Sequence, residues 1–95
     1  MIDLNRKVVL VTGGSRGIGA GIVSGLLAAN AEVIVHFNKG EEEARKLAEG
    51  PEANRCHLVQ ADFYDPKAPL ELWEKALAWQ GKVDVLVNNA AIRVS

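Results

Sequence analysis

The chain has 95 residues, of which 48% are hydrophobic and 24% are charged, and its formal net charge is −1. This length allows one domain, and the near-neutral charge without a basic block argues against nucleic acid or an anionic membrane as partner. The apolar stretches are too short to span a bilayer, the first seven residues lack an apolar signal core, and the single cysteine cannot form an internal disulfide. We therefore expect a cytoplasmic location.

Strands and helices alternate along the chain, and turn residues separate them. The four predicted strands and three predicted helices are, in chain order, strand 8–11, helix 18–29, strand 32–37, helix 41–49, strand 56–61, helix 69–80 and strand 83–88. The strands are continuous apolar runs, which are typical of a parallel sheet covered on both faces. Because crossovers are right-handed, the pattern predicts an α/β fold, a partial Rossmann-like doubly wound sheet with strand order 3-2-1-4.

The first strand leads directly into a glycine turn (residues 13–19) that opens a helix. Residues 8–19 read VVLVTGGSRGIG, with glycines at Gly13, Gly17 and Gly19. Glycines let the backbone approach a pyrophosphate, and a helix N-terminus offers N–H groups and partial positive charge. An ordinary tight connection is the alternative, which three glycines in register disfavour. The chain reverses direction between strands 1 and 4, so we expect a ligand beyond their carboxyl ends.

The glycine spacing G-x-x-x-G-x-G behind Thr12, with the later run Asn88-Asn89-Ala90-Ala91, resembles the short-chain dehydrogenase/reductase family. The family pattern is T-G-x-x-x-G-[IL]-G and then N-N-A-G. The likeness begins near Lys7 and matches only the N-terminal, cofactor-binding half of the family. It implies that residues 1–95 are a single truncated dinucleotide-binding domain, similar to 3-oxoacyl-carrier-protein reductases and pteridine reductases.

The end of the second strand, residues 36–39, indicates which dinucleotide is favoured. An acidic residue there would hydrogen-bond the adenosine ribose of NAD, but Phe37 occupies that place. Arg16 and Lys39 supply cations suited to a 2′-phosphate, although solvated surface charges are the alternative for both. His36 is interpreted as a packing residue. The segment resembles the one that holds the 2′-phosphate in pteridine reductases, so we predict NADP(H), with NAD(H) less favoured.

Further cofactor contacts are implied by the resemblance alone. Asp62 would accept a hydrogen bond from the adenine amino group, with a turn-forming aspartate as the alternative. Ala91 stands where the family usually has glycine, and its methyl group lies beside the expected cofactor path. The predicted cofactor-binding residues are Gly13, Ser15, Arg16, Gly17, Ile18, Gly19, Phe37, Asn38, Lys39, Asp62, Phe63, Asn89, Ala90 and Ala91.

The predicted sites include no catalytic residue and no metal ligand. Family members transfer hydride with a Tyr-x-x-x-Lys pair and a serine, whereas the one tyrosine of this chain, Tyr64, has Ala68 four residues on. No His, Cys or carboxylate cluster has metal-ligand spacing. We expect the NADP(H)-binding portion of an oxidoreductase acting on a carbonyl or alcohol, inactive as this chain alone. The alternative is a non-catalytic nucleotide-binding or assembly module.

Two apolar patterns predict packing surfaces. In the third helix, Leu70, Trp73 and Leu77 recur at helical spacing and, with Ala76, predict the core-facing stripe, while Leu72 and Trp79 fall on another side. The fourth strand, 83–88, has an interior strand's composition but no later strand to pair with. We expect it to form a homodimer or higher oligomer, or to pair with a missing C-terminal half.

Overall fold

Within residues 2–90, which the computed structural model describes, the chain forms a four-stranded sheet with helices on both faces. The elements are β1 (Val8–Thr12), α1 (Gly17–Ala28), β2 (Glu32–Phe37), α2 (Glu41–Leu47), a 3-10 helix (Gly50–Arg55), β3 (Cys56–Gln60), α3 (Ala68–Gln80) and β4 (Val85–Asn88). The strand order is β3-β2-β1-β4, and each neighbouring pair is parallel. The predicted fold and strand order are confirmed; the 3-10 helix was not predicted.

The core lies on both faces of the sheet because the strands are apolar at every position. Val8 and Leu10 pack on the α3 side, whereas Val9 and Val11 point to the opposite face, on the α1 side. Each is at most 2% exposed. Cys56 belongs to the α1-side cluster, and burial raises the pKa of its thiol to about 11.

The packing of α3 corrects the predicted stripe. Ala76 is buried as predicted, but Leu70 and Trp73 are 64% and 40% exposed, and Leu72 and Ala68 are buried with Ala76 instead. These three buried residues are spaced by four and form one face of the helix. Both faces of the helix are apolar, so periodicity alone could not choose between them. The alanines leave room for the helix to lie close to the sheet.

β4 forms one edge of the sheet in the described part of the chain. Its residues pair with β1 in parallel register, from Val9 with Val85 to Thr12 with Asn88. Val85 and Leu86 are 47% and 53% exposed. The strand predicted to lack a later partner is thus an edge strand within residues 2–90, with Val85 and Leu86 exposed and Val87 partly buried against the α1-side cluster.

The amino ends of β1 and β4 are joined by a carboxylate. The Asp84 Oδ2 atom accepts the Val8 backbone N–H at 2.8 Å and lies 3.0 Å from the Lys82 ammonium. Lys82 also donates to the Arg6 carbonyl oxygen at 2.9 Å. The hydrogen bond from Val8, followed by the one from Lys82, lowers the pKa of the Asp84 carboxyl. The polar groups at the amino end thus find their hydrogen-bond partners among themselves.

Candidate functional site

A cavity of about 430 Å³ opens at the carboxyl ends of the strands, where a ligand was predicted to bind. Its lining residues are Gly13, Ser15, Arg16, His36, Phe37, Asn38, Lys39, Asp62, Phe63, Tyr64, Asn89 and Ala90. All of these except His36 and Tyr64 belong to the predicted cofactor-binding set. The volume lies in the usual range for small-molecule and cofactor sites.

The glycine turn is held tightly against the end of β4. The Asn89 side-chain amide donates to the Gly13 carbonyl oxygen at 3.0 Å. A Cβ on Gly19 would overlap that carbonyl and lie 2.7 Å from the Asn89 amide nitrogen. Gly13 itself has a φ of +63°, which glycine adopts without steric cost. The turn therefore needs glycine at both positions.

Thr12 ties the glycine turn to the segment after β4, a role that sequence reasoning missed. Its hydroxyl oxygen accepts the backbone N–H groups of Asn89 and Ala90 at 3.0 and 3.1 Å. The same hydroxyl donates to the Asn88 side-chain oxygen at 3.1 Å. Its place directly before the first glycine was the available signal.

His36 connects the glycine turn to the end of β3. Its Nδ1 atom accepts the Gly13 N–H at 3.0 Å, and its Nε2 atom lies 2.8 Å from the Ala61 carbonyl oxygen. Because a carbonyl can only accept, Nε2 carries the proton and the ring is neutral. The ring stacks on Phe63 with centroids 4.3 Å apart. Burial lowers the pKa of His36, and the hydrogen bond to Ala61 partly opposes this.

Ser15, Arg16 and Lys39 line the cavity as a basic corner, in which the Ser15 hydroxyl donates to the Lys39 carbonyl oxygen at 3.5 Å. Arg16 reaches Glu43 of α2 at 3.8 Å, and both side chains are largely exposed. A Cβ on Gly40 would lie 2.8 Å from the Arg16 Nε atom and 3.1 Å from the Ser15 hydroxyl. Gly40, which was not predicted, thus leaves room for the guanidinium. The corner can accept an anion with several oxygen atoms.

The other side of the cavity is formed by the ends of β2 and β3. β2 ends at Phe37, whose apolar side chain is only 6% exposed and offers no carboxylate there. Gln60 donates to the Asn38 side-chain oxygen at 3.1 Å and fixes it at the rim. Asp62 accepts the Tyr64 backbone N–H at 3.0 Å. Asp62 therefore forms the turn given as its alternative role, and it also lines the cavity.

The remaining predicted residues lie around the cavity or outside the described range. Gly17 and Ile18 are exposed in the first turn of α1, where backbone N–H groups lack an acceptor within the helix. Gly19 is buried behind them. Ala91 lies outside the described residues, so its predicted effect on the cofactor path remains a prediction.

The described range holds neither a metal-ligand cluster nor a membrane-spanning helix. Between residues 2 and 90, no three His, Cys, Asp or Glu side chains are grouped to hold a metal ion. None of the helices in this range has the length and apolar character needed to cross a bilayer. The cavity at the carboxyl edge is thus the feature that gathers the predicted polar residues.

Known proteins are similar to this chain in sequence and in fold. The family model for short chain dehydrogenases matches residues 7–95. L-rhamnose 1-dehydrogenase (NADP(+)) of Thermoplasma acidophilum is 36% identical over 97% of this chain and 37% of its own length. A blue fluorescent protein from a metagenomic library, solved in complex with NADPH, has a TM-score of 0.87 and 43% identity over 97% of this chain and 39% of its own.

A third similar structure is also a complex with NADP. The Pseudomonas aeruginosa RhlG/NADP active-site complex has a TM-score of 0.81 and 35% identity, covering 96% of this chain and 37% of its own. The chain thus spans somewhat over a third of the length of the relatives described here.

Proposed function

The chain belongs to the short-chain dehydrogenase family, and we propose that it is the part of a family member that binds NADP(H). The observation that supports this most is the cavity in which the glycine turn and the basic corner meet beside a β2 end without a carboxylate. A 2′-phosphate is the group that distinguishes NADP from NAD. Two cations with no opposing carboxylate at the strand end favour that phosphate.

Each part of the dinucleotide has a proposed partner in the lining. The pyrophosphate would lie against the glycine turn and the first N–H groups of α1. The 2′-phosphate would contact Arg16 and Lys39. The adenine would sit between Asp62 and the backbone of Phe63, and the ribose beside Asn89 and Ala90. Three similar proteins described above carry NADP or NADPH in their names, which supports this assignment.

The family also suggests an activity for a full-length member, of which this chain would span somewhat over a third. We propose an oxidoreductase that acts on a carbonyl or alcohol, with the nicotinamide ring supplying or taking the hydride. The described residues bind and orient the adenosine half of the cofactor. Tyr64 lines the cavity beside Asp62, at the proposed adenine side. We therefore propose that this chain alone binds cofactor without turning over substrate.

Calorimetric titration of the purified chain with NADPH and NADH tests the cofactor assignment. NADPH should bind more tightly, and Arg16→Ala should weaken NADPH binding by about 1.5–3 kcal/mol, the range for a charge-assisted contact, while leaving NADH binding nearly unchanged. Arg45→Ala is the matched control, because Arg45 pairs with Glu41 on α2 and does not line the cavity. Equal or tighter NADH binding would overturn the assignment.

Assembly through β4 is a second candidate function, favoured by the exposure of Val85 and Leu86. A two-fold dimer could pair β4 with its copy and give a continuous eight-stranded sheet. Covering a few hundred Å² of apolar surface would contribute several kcal/mol at about 25 cal/mol per Å². Val85→Lys should weaken association in analytical ultracentrifugation, and Ile2→Lys, at an exposed site outside the sheet, should not. A monomer at high concentration would exclude this function.

A further inference from the structure

His36 is the buried residue through which three segments around the cavity meet. Its side chain accepts from Gly13 and bonds to Ala61, and its ring stacks on Phe63. Its backbone carbonyl also accepts the Gly14 N–H at 2.9 Å. The residue is 2% exposed. One side chain thus fixes the distance between the glycine turn and the loop that follows β3.

We propose that His36 is a positioning residue for the dinucleotide, and that NADP(H) binds tightly only while the His36 ring is neutral. The inference rests on the proposed function, because the two segments joined by His36 are the proposed pyrophosphate and adenine sites. His36 need not touch the cofactor itself. It keeps both segments at the spacing that one bound molecule requires.

The hydrogen-bond directions make this contact sensitive to protonation. In the neutral ring, Nδ1 accepts the Gly13 N–H while Nε2–H donates to the Ala61 oxygen. Protonation adds a hydrogen to Nδ1, which then faces the Gly13 N–H as a second donor. Two donors cannot share a hydrogen bond, so the glycine turn or the ring has to move. If a backbone carbonyl faced Nδ1 instead of the Gly13 N–H, protonation of the ring would create a hydrogen bond there instead of breaking one.

The ionisable groups of the neighbouring segments line the same cavity. They are Arg16 from the glycine turn, Lys39 from the segment after β2, and Asp62 and Tyr64 from the loop after β3. Burial lowers the pKa of His36 from its ordinary value of 6.5, and the weaker effect of the hydrogen bond to Ala61 raises it. The ring is therefore neutral near pH 8 and becomes protonated only below pH 6.5.

The sign of the pH effect follows from linkage. A cofactor that requires the neutral ring binds more weakly as the free chain takes up a proton on His36, approaching roughly tenfold per pH unit below that pKa. A phosphate monoester also titrates near pH 6, so the 2′-phosphate of NADPH adds its own pH dependence. The test must separate these two contributions.

NADPH and NADH affinities of the purified chain, measured between pH 8 and pH 5, separate them. His36→Asn keeps an acceptor oxygen near the Nδ1 position but cannot titrate. It should bind NADPH at pH 8 within about tenfold of the wild type and lose the His36-dependent part of the pH profile for both cofactors. His57→Asn removes the only other histidine of the chain, outside the cavity, and should keep the wild-type profile.

If the wild type binds NADPH at pH 8 but its pH profile is parallel to that of His36→Asn, the role of His36 is overturned and the proposed function is upheld. No NADPH binding at pH 8 in the wild type would instead refute the proposed function itself. If His36→Asn does not fold, ¹⁵N spectra of the wild-type ring decide. An Nε2–H tautomer whose protonation shifts the Gly13 amide and weakens NADPH binding at the same pH supports the role. An Nδ1–H tautomer, or binding unaffected by that protonation, contradicts it.

Discussion

The two ends of the same sheet use polar residues in opposite ways. At the amino end, the Asp84 carboxylate, the Val8 N–H and the Lys82 ammonium satisfy one another. At the carboxyl end, polar groups tie the loops together but surround a cavity of about 430 Å³. His36 and Asn89 hold the walls there without filling the space. Polar groups therefore pair with one another at the amino end of the sheet, whereas at the carboxyl end they hold loops around an open cavity.

The largest expected effect comes from adding a side chain at Gly19, in the glycine turn at the carboxyl end of the sheet. In Gly19→Ala, the added Cβ would overlap the Gly13 carbonyl, so the turn must shift. We expect a loss of about 2–4 kcal/mol in the free energy of unfolding and at least a tenfold loss of NADPH affinity. Urea denaturation and calorimetry measure the two effects.

Gly21→Ala is the matched control for that substitution. It lies in the same helix, α1, but its Cβ would meet nothing within 4 Å. We expect it to stabilise the chain by about 0.5–1 kcal/mol, since alanine is the better helix former. Similar destabilisation by both substitutions would show that the close approach at Gly19 is not what the turn requires.

A smaller effect, separate from binding, is expected at the amino end. Asp84→Asn should lower the urea midpoint at pH 7 while leaving the NADPH affinity within about twofold, because Asp84 lies at the opposite end of the sheet. The lowered pKa of Asp84 means that its contribution is present above the ordinary value of 3.8 and is lost as the pH falls below it.

Denaturation curves at several pH values check this prediction for Asp84. The wild type should lose stability below pH 3.8 by more than Asp84→Asn does. Glu74→Gln, which removes an exposed carboxylate on α3, should behave like the wild type. A loss of NADPH affinity in Asp84→Asn comparable to its loss of stability would contradict the separation of the two ends.

The smallest expected effect is a gain at the basic corner. Glu43 lies 3.8 Å from Arg16 and competes with any phosphate for that guanidinium. Exposed ion pairs contribute about 0–1 kcal/mol, so Glu43→Gln should tighten NADPH binding by about two- to fivefold. Glu41→Gln breaks the equivalent pair with Arg45 and should change little. Weaker NADPH binding in Glu43→Gln would show that Glu43 positions Arg16 instead of competing for it.

Much of the carboxyl end could be predicted from the sequence because its signals are local. Apolar strands, a glycine turn and right-handed crossovers determine the strand order and the place of the cavity. The absence of an acid at Phe37 is visible in the sequence as well. These features need no knowledge of how distant side chains meet.

The missed features depend on distant contacts. His36 was predicted only to pack, because its bonding partners, Gly13 and Ala61, lie 23 and 25 residues away. Gly40 was missed because its close neighbours, Arg16 and Ser15, are distant in the sequence, and its φ of +88° is visible only in the structure. The predicted face of α3 was wrong except at Ala76, because two apolar stripes were available and only packing against the sheet selects one. Spacing within an element cannot supply such information.

Amide NMR spectra of the chain, recorded with and without NADPH, test whether the dinucleotide binds at the carboxyl edge of the sheet, since they compare both ends of the sheet in one experiment. We expect the largest shifts at Gly13, Arg16 and Asp62, and none beyond measurement error at Val8 and Asp84. Shifts concentrated at the amino end, or no shifts with millimolar NADPH, would contradict a dinucleotide site at the carboxyl edge of the sheet.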